Sequence, residues 1–383
     1  AEELENILSY WINFAVDERG GFHGKIDNNN IADPFAPKGS VLNSRILWTF
    51  SAAYTVFKEP RYLEIAERAA HYLLEYFTDK EYGGVYWTLD YTGKPQETKK
   101  QVYAQAFAIY AFAEHYRATA SVKSKQQAIA LYDLLIKYAH DKQLGGYAEA
   151  MSHTWGRVED VRLSEKDANE RKTMNTHLHV LEAFTSLYGI WQEQQLKEKL
   201  EELVGIFLEK IVNKYSGHLG LFFDDDWRVK SSPYSYGHDI EAAWLLLEAA
   251  EATDNEWLIN EVKTASGKML NAAIEGLDAD GGLWYEYDPQ QGHLVKEKHW
   301  WPQAEAMVGF YNACQVTGNM AYLDHSLNSW RFIKKYIIDT AKGEWYWGVD
   351  EKHQPMKEQD KVGLWKCPYH NGRACLEIIK RTG

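Results

Sequence analysis

Cysteine, proline and basic charge are all in short supply in this chain. Three cysteines, Cys314, Cys367 and Cys375, occur in 383 residues. They fit no disulfide framework, and no CxxC or Cys/His spacing points to structural zinc, so reduced thiols and a cytoplasmic setting are expected. The nine prolines are scattered and no Pro- or Gly-rich linker divides the chain, so residues 1–383 are expected to form a single domain. Basic residues number 42 against 55 acidic ones, a net charge of −13, which disfavours nucleic acid and anionic membrane as partners. No apolar run approaches the roughly 20 residues of a membrane span, and no signal-like segment precedes the first amphipathic stretch. What remains is a monomer acting on a neutral small molecule.

Aromatic residues are plentiful, with 15 Trp and 25 Tyr, more than a core alone requires and suited to stacking on sugar C–H faces. Glycine recurs with aromatics at intervals: GGFHG from Gly20, GGVYW from Gly83, GGYAE from Gly145, GHLGLFF from Gly217, GGLWYE from Gly281 and GEWYWG from Gly343. The steps between these starts are 63, 62, 72, 64 and 62 residues, which marks a repeat architecture of six units.

Each glycine mark lies between two helical patterns. Before it comes an amphipathic segment, such as Arg61 to Phe77 or Ala321 to Ile338, expected to face solvent on one side. After it, beyond a loop, comes a segment apolar nearly all round: Leu42–Tyr54, Val102–Tyr116, Thr173–Tyr188, His238–Ala250, Ala304–Cys314 and His370–Ile379. Helices apolar on every side are buried. Twelve helices in six outer and inner pairs therefore predict an all-α fold, an (α/α)6 barrel with short hairpins at one end. The six inner helices run roughly parallel in such a barrel, so residues at their starts converge on one pit.

Those starts carry Asn43 and Arg45; Tyr103 and Gln105; Asn175, His177 and His179; His238 and Glu241; Trp300, Trp301 and Glu305; and Trp365, Tyr369, His370 and Arg373. Burying so many polar groups without use costs several kcal/mol, so their convergence points to a site. Asn175 and His179 are four apart and share a helix face, whereas His177 points away and reads as a hydrogen-bonded structural histidine. The same geometry weakens a zinc site, because His-x-His on a helix cannot turn both rings to one ion; His238 with Glu241 could supply two ligands.

Without a metal, two imidazoles on opposite sides of a sugar suit proton transfer at carbon. Removing a proton α to a carbonyl leaves an enediolate, whose oxygen Arg45 can stabilise with Tyr103 or His179. One histidine takes the C2 proton and another returns it to the opposite face, which is epimerisation. Glu241, one turn after His238, is expected to hold that ring; it could equally accept a substrate hydroxyl or lie in a buried ion pair. Two rival readings are a glycoside hydrolase using Glu241, Glu305 or the Asp224–Asp226 run, and a non-catalytic sugar-binding module. The aspartate run reads better as a solvated loop brace.

The segments KGSVLNSRILWTFSAAY, KTMNTHLHVLEAFTSLY, SYGHDIEAAWLL, WWPQAEAMVGFYNA and LWKCPYHNGRACLEI closely resemble the cellobiose 2-epimerases of the N-acylglucosamine 2-epimerase superfamily, nearly end to end. The resemblance implies an (α/α)6 barrel, no metal and no cofactor, and inversion of C2 of the reducing-end glucose of β-1,4-linked disaccharides: cellobiose to glucosyl-mannose, lactose to epilactose. It implies that His370 abstracts the C2 proton, and that His238 protonates the other face and helps open the ring. It further implies that Arg45, Asn175 and His179 hold the C1 and C2 oxygens, with Tyr103 and Glu241 in the pit and Trp301 and Trp365 as its walls; Glu305, from its place at the fifth helix start, is expected to bind substrate beside them. Alternatives within the superfamily are an N-acylglucosamine 2-epimerase and an aldose–ketose isomerase.

Overall fold

The computed structural model describes residues 1–383. The amphipathic segments form α1 (Glu2–Tyr10), α3 (Pro60–Tyr72), α5 (Val122–Leu134), α7 (Gln194–Ile206), α9 (Glu256–Ile274) and α11 (Met320–Phe332). The apolar segments form α2 (Ser40–Phe57), α4 (Val102–Thr119), α6 (Met174–Tyr188), α8 (Tyr236–Ala252), α10 (Trp300–Thr317) and α12 (Tyr369–Thr382). Each even-numbered helix packs on the next and α12 returns to α2, closing an inner ring; α3, α5, α7, α9 and α11 cover α2, α4, α6, α8 and α10, and α1 covers α12. This is the expected (α/α)6 barrel. The reason is visible in α2 and α4, where Ser40 to Ala53 and Val102 to His115 are buried without a break, leaving no face for water.

Most inner helices begin before their apolar pattern does. The first turn of α10, Trp300 to Gln303, looks polar or aromatic in sequence, yet its Gln303 is buried and binds the backbone of Leu283. Gly237 sits inside α8 rather than in a turn before it. A Cβ there would come within 2.6 Å of the Trp301 ring, so glycine is needed for close packing against the pit wall.

Five of the glycine marks are tight turns preceded by an aspartate that is buried or half-buried. Asp17, Asp79, Asp141, Asp278 and Asp339 each accept an ion pair from a buried lysine, Lys38, Lys100, Lys172, Lys298 and Lys361, at 2.8, 2.6, 2.8, 2.7 and 2.7 Å. Four of these lysines stand two residues before an inner helix. The two residues ahead of each of those helices pair antiparallel with the hairpin of the following repeat: Lys38–Gly39 with Thr88–Leu89, Lys100–Gln101 with Ala150–Met151, Lys172–Thr173 with Phe222–Phe223, and Lys298–His299 with Gly348–Val349. Every such helix start is thus strapped to its neighbour, which fixes the side chains aimed into the pit.

Candidate active site

Three histidines from three repeats meet at the mouth of the inner ring, and each has its Nδ1 tied off. His370 on α12 bonds Glu305 Oε1 at 2.7 Å, His179 on α6 bonds Glu182 Oε2 at 3.0 Å, and His238 on α8 bonds Ser235 Oγ at 2.7 Å. An Nδ1–H directed at a carboxylate leaves the Nε2 lone pair of His370 and of His179 free for a substrate. His238 and His370 both pack on Trp301, with centroids 4.6 and 5.7 Å from the indole. Burial holds all three imidazoles below their ordinary range: His238 at about 3, His179 lower than usual, and His370 well below usual through the added repulsion of Arg45 and Arg373. Burial thus favours the neutral form of each ring.

His177 does not enter the pit. Its Nε2 accepts from the Tyr147 backbone N–H at 2.9 Å and its Nδ1 bonds the Thr173 carbonyl at 2.6 Å, and burial pulls it down to about 4. It clamps the third repeat's turn to α6, the structural role its position on the helix implies.

Arg45 on α2 is buried and aimed across the ring. It donates to the Tyr103 hydroxyl at 2.7 Å and to the Trp365 carbonyl at 3.2 Å, with Cys367 Sγ 3.8 Å away. The faces of Phe107 and Tyr369 lie 4.2 and 4.9 Å from its guanidinium carbon. The site therefore holds a permanent cation in an aromatic cage, where it acts with little screening. Tyr103 meets both His179 and Trp365 edge-on, at 5.0 and 5.8 Å. Asn175, half-buried at the start of α6, makes no side-chain hydrogen bond.

Beneath the histidines lies a floor that the sequence reading did not assemble. Arg373, 1% exposed, donates Nη2 to Glu241 Oε1 and to Glu305 Oε1, each at 2.7 Å, and Nη1 to Glu182 and the Tyr369 hydroxyl. Glu305 also accepts from Trp244 Nε1 at 3.2 Å. Three carboxylates around one guanidinium cannot all be equally charged. Burial works to raise Glu182, but Arg373 and His179 more than offset it and hold it at about 2; burial and the Glu305 charge push Glu241 up to about 8.

Of the roles expected for Glu241, support of His238 is corrected here and the buried ion pair is the one found. Glu241 bonds Arg373, and its approach to an imidazole is to His370 Nδ1 at 3.9 Å. Ser235 holds His238 instead, because Glu241 is drawn down to the buried guanidinium. The carboxylate that orients an imidazole is Glu305, behind His370. Glu182 and Ser235 also escaped the reading; each lies three residues from the histidine it holds, and that spacing was the available signal.

Ligand atoms of Glu241, Glu305 and His370 lie within 4.8 Å of one another. The carboxylate oxygens nearest this point already take Arg373 Nη2, so a cation would sit against a guanidinium, and the donor set fits an ion poorly. A hydrolase pairing fits no better. Glu241 and Glu305 share one Arg373 nitrogen under the histidines, leaving no room for a glycosidic bond between them. Asp224 caps the backbone of Asp226 and Arg228 in a loop, as a brace.

The family described as N-acylglucosamine 2-epimerase (GlcNAc 2-epimerase) matches residues 20–374. A cellobiose 2-epimerase of Bacteroides fragilis is 48% identical over 379 residues, spanning 99% of this chain and 97% of that protein. One of Dictyoglomus turgidum is 39% identical over 382 residues, spanning 99% and 97%. The solved structure of cellobiose 2-epimerase from Bacillus thermoamylovorans B4167 superimposes with a TM-score of 0.95 at 40% identity, covering 99% of this chain and 98% of that one. No helix of the chain is long and apolar enough to cross a membrane.

Proposed function

Because the chain belongs to the N-acylglucosamine 2-epimerase family, we propose that it is a carbohydrate epimerase that inverts C2 of the reducing-end glucose of β-1,4-linked disaccharides such as cellobiose and lactose. The observation that carries this reading is the pair of imidazoles, His370 and His238, packed on one indole with both Nδ1 atoms engaged.

His370 is the base. Its Nδ1–H is anchored on Glu305, which fixes the tautomer and favours the imidazolium that forms when Nε2 takes the C2 proton of the open-chain sugar. Electrons left at C2 move onto O1, giving a cis-enediolate, and Arg45 faces that charge with Asn175 and His179 beside it. His238 supplies the new proton to the opposite face of C2. An empty pit disfavours imidazolium at His238; an enediolate between it and Arg45 favours it, so His238 takes a proton from water as the intermediate forms and passes it to C2, while His370 returns to water the proton it removed. Trp301 and Trp365 supply ring faces for the sugar, and the reaction uses no metal or cofactor.

Incubation with cellobiose in D2O tests the proposal. Glucosyl-mannose of unchanged composition with deuterium at C2 is the expected product, whereas free glucose would overturn the reading in favour of hydrolysis. Protonation of the same enediolate at C1 gives the ketose, so slow formation of lactulose from lactose is a consequence of the mechanism.

A further inference from the structure

The fourth repeat departs from the other five in where it keeps its buried charge. Elsewhere an aspartate before the glycine turn pairs with a lysine, and in four repeats that lysine stands two residues ahead of an inner helix. In the fourth repeat the acid is Asn213, which still caps the turn through the Tyr215 and Ser216 N–H groups but carries no charge. The lysine position is Tyr234, two residues before α8.

A second substitution compensates. In three repeats the fourth residue of the inner helix clamps the backbone of the preceding glycine turn and is neutral: Gln105 bonds Val85, His177 bonds Tyr147 and Gln303 bonds Leu283. In α8 it is Asp239, which takes the Leu219 N–H at 2.9 Å. The cation facing it is His218, with Nδ1 2.7 Å from Asp239 Oδ2. The His218 ring is stacked on Tyr234 at 4.0 Å and 7°. Both partners are buried, at 3% and 0% side-chain exposure. The acid has moved from the turn onto the helix, and a titratable imidazole has replaced a permanent ammonium.

This exchange occurs next to His238. Asp239 is its chain neighbour on α8, and Tyr234, under the His218 ring, adjoins Ser235, whose hydroxyl fixes His238 Nδ1 at 2.7 Å. We propose that His218 and Asp239 form a positioning pair for His238, so that the seating of the His238 ring follows the protonation of His218. The inference rests on the epimerase reading for the role of His238 but not for the coupling itself.

The groups facing His218 are Asp239 on α8, Glu275 after α9 at 3.4 Å, and the rings of Tyr234 and Tyr236. Burial disfavours its charged form, but the hydrogen bond and charge of Asp239, with Glu275 behind, outweigh that and raise it above the ordinary imidazole value. A group raised on folding stabilises fully below its unfolded value, about 6.5, and loses that contribution as pH climbs through its folded value. The pair is therefore tight at mildly acid pH and slack on the alkaline side, where Asp239 stays buried opposite a neutral ring.

Proton NMR of the imidazole Cε1–H signals, assigned by substitution and followed over about pH 5 to 9, tests this in the intact protein alongside kcat on cellobiose. In the wild type the His238 signal should inflect where His218 titrates, and kcat should fall about tenfold through the same interval, a change of about 1.4 kcal/mol in barrier. D239Q installs the neutral clamp seen at Gln105 and Gln303; it should return His218 to about 6.5 or below and erase both inflexions. H218Q should hold the His238 signal at its alkaline position throughout, and H218Q/D239Q should release it. A His238 signal that ignores the His218 titration, or one unchanged by D239Q, would overturn the proposal. A wild-type protein without cellobiose turnover whose His238 signal still follows His218 supports the coupling and sinks the epimerase reading alone.

Discussion

His370 and His238 flank the same indole, yet their supports are opposites. His370 rests on Glu305, which is itself bound to a buried arginine shared with two more carboxylates. His238 rests on the hydroxyl of Ser235, a neutral group at the end of a two-residue strand. A carboxylate behind an imidazole stabilises the cation formed by taking a proton, whereas a hydroxyl orients the ring without committing its charge. The contrast gives the histidine of α12 a carboxylate to stabilise the cation it forms, and leaves His238 free to serve as base or acid according to what lies between it and Arg45.

Removing either ring should cost most and should not discriminate between them: H370A and H238A are each expected to lower kcat about 10³-fold with the fold retained. Deuterium exchange at C2 sharpens the comparison, because exchange without epimer should persist in one variant, the one that keeps the base for the starting sugar. Retention of more than a tenth of wild-type kcat in either would break the pairing.

Altering the supports should separate the two histidines. E305Q removes the charge behind His370 and is expected to lower kcat about 10²-fold with little change in KM. S235A removes one hydrogen bond and should cost about tenfold. Equal losses would mean that the two supports do the same work.

A smaller effect concerns stability alone. Glu241 is raised on folding from 4.5 to about 8, so its contribution is most favourable below about 4.5 and declines as pH rises to about 8. The urea midpoint should fall over that interval in the wild type and be flatter in E241Q. Parallel curves would show that Glu241 ionises as readily folded as unfolded.

The barrel was legible because six glycine-aromatic marks and six all-apolar segments repeat at near-constant spacing, and a helix with no polar face has one place to go. His177 could be separated from His179 because helical geometry fixes directions within one turn. Arg373 and its three glutamates were not legible as a unit. Glu182, Glu241, Glu305 and Arg373 come from four repeats, and nothing local tells a glutamate facing a sugar from one facing a buried guanidinium. Hence the sequence leaves Glu241 between the His238 ring, a substrate hydroxyl and a buried ion pair, and the partner it takes, Arg373, lies 132 positions away. The need for glycine at position 237 is illegible for a related reason, since the Trp301 ring that demands it is contributed by another helix.

The ring is closed by α12 meeting α2, with α1 laid over the seam and Trp11 and Trp345 each donating across it to Glu344 and Glu3. The helix that completes the circle is also the one that bears His370 and Arg373. During synthesis the other five inner helices can form and pack in order, but the contacts joining the first and last repeats span more than 330 positions and form last, since distant segments pay the largest closure entropy. Until then the three floor glutamates lack their common cation and the pit lacks its base, so turnover itself reports that the final joint has been made.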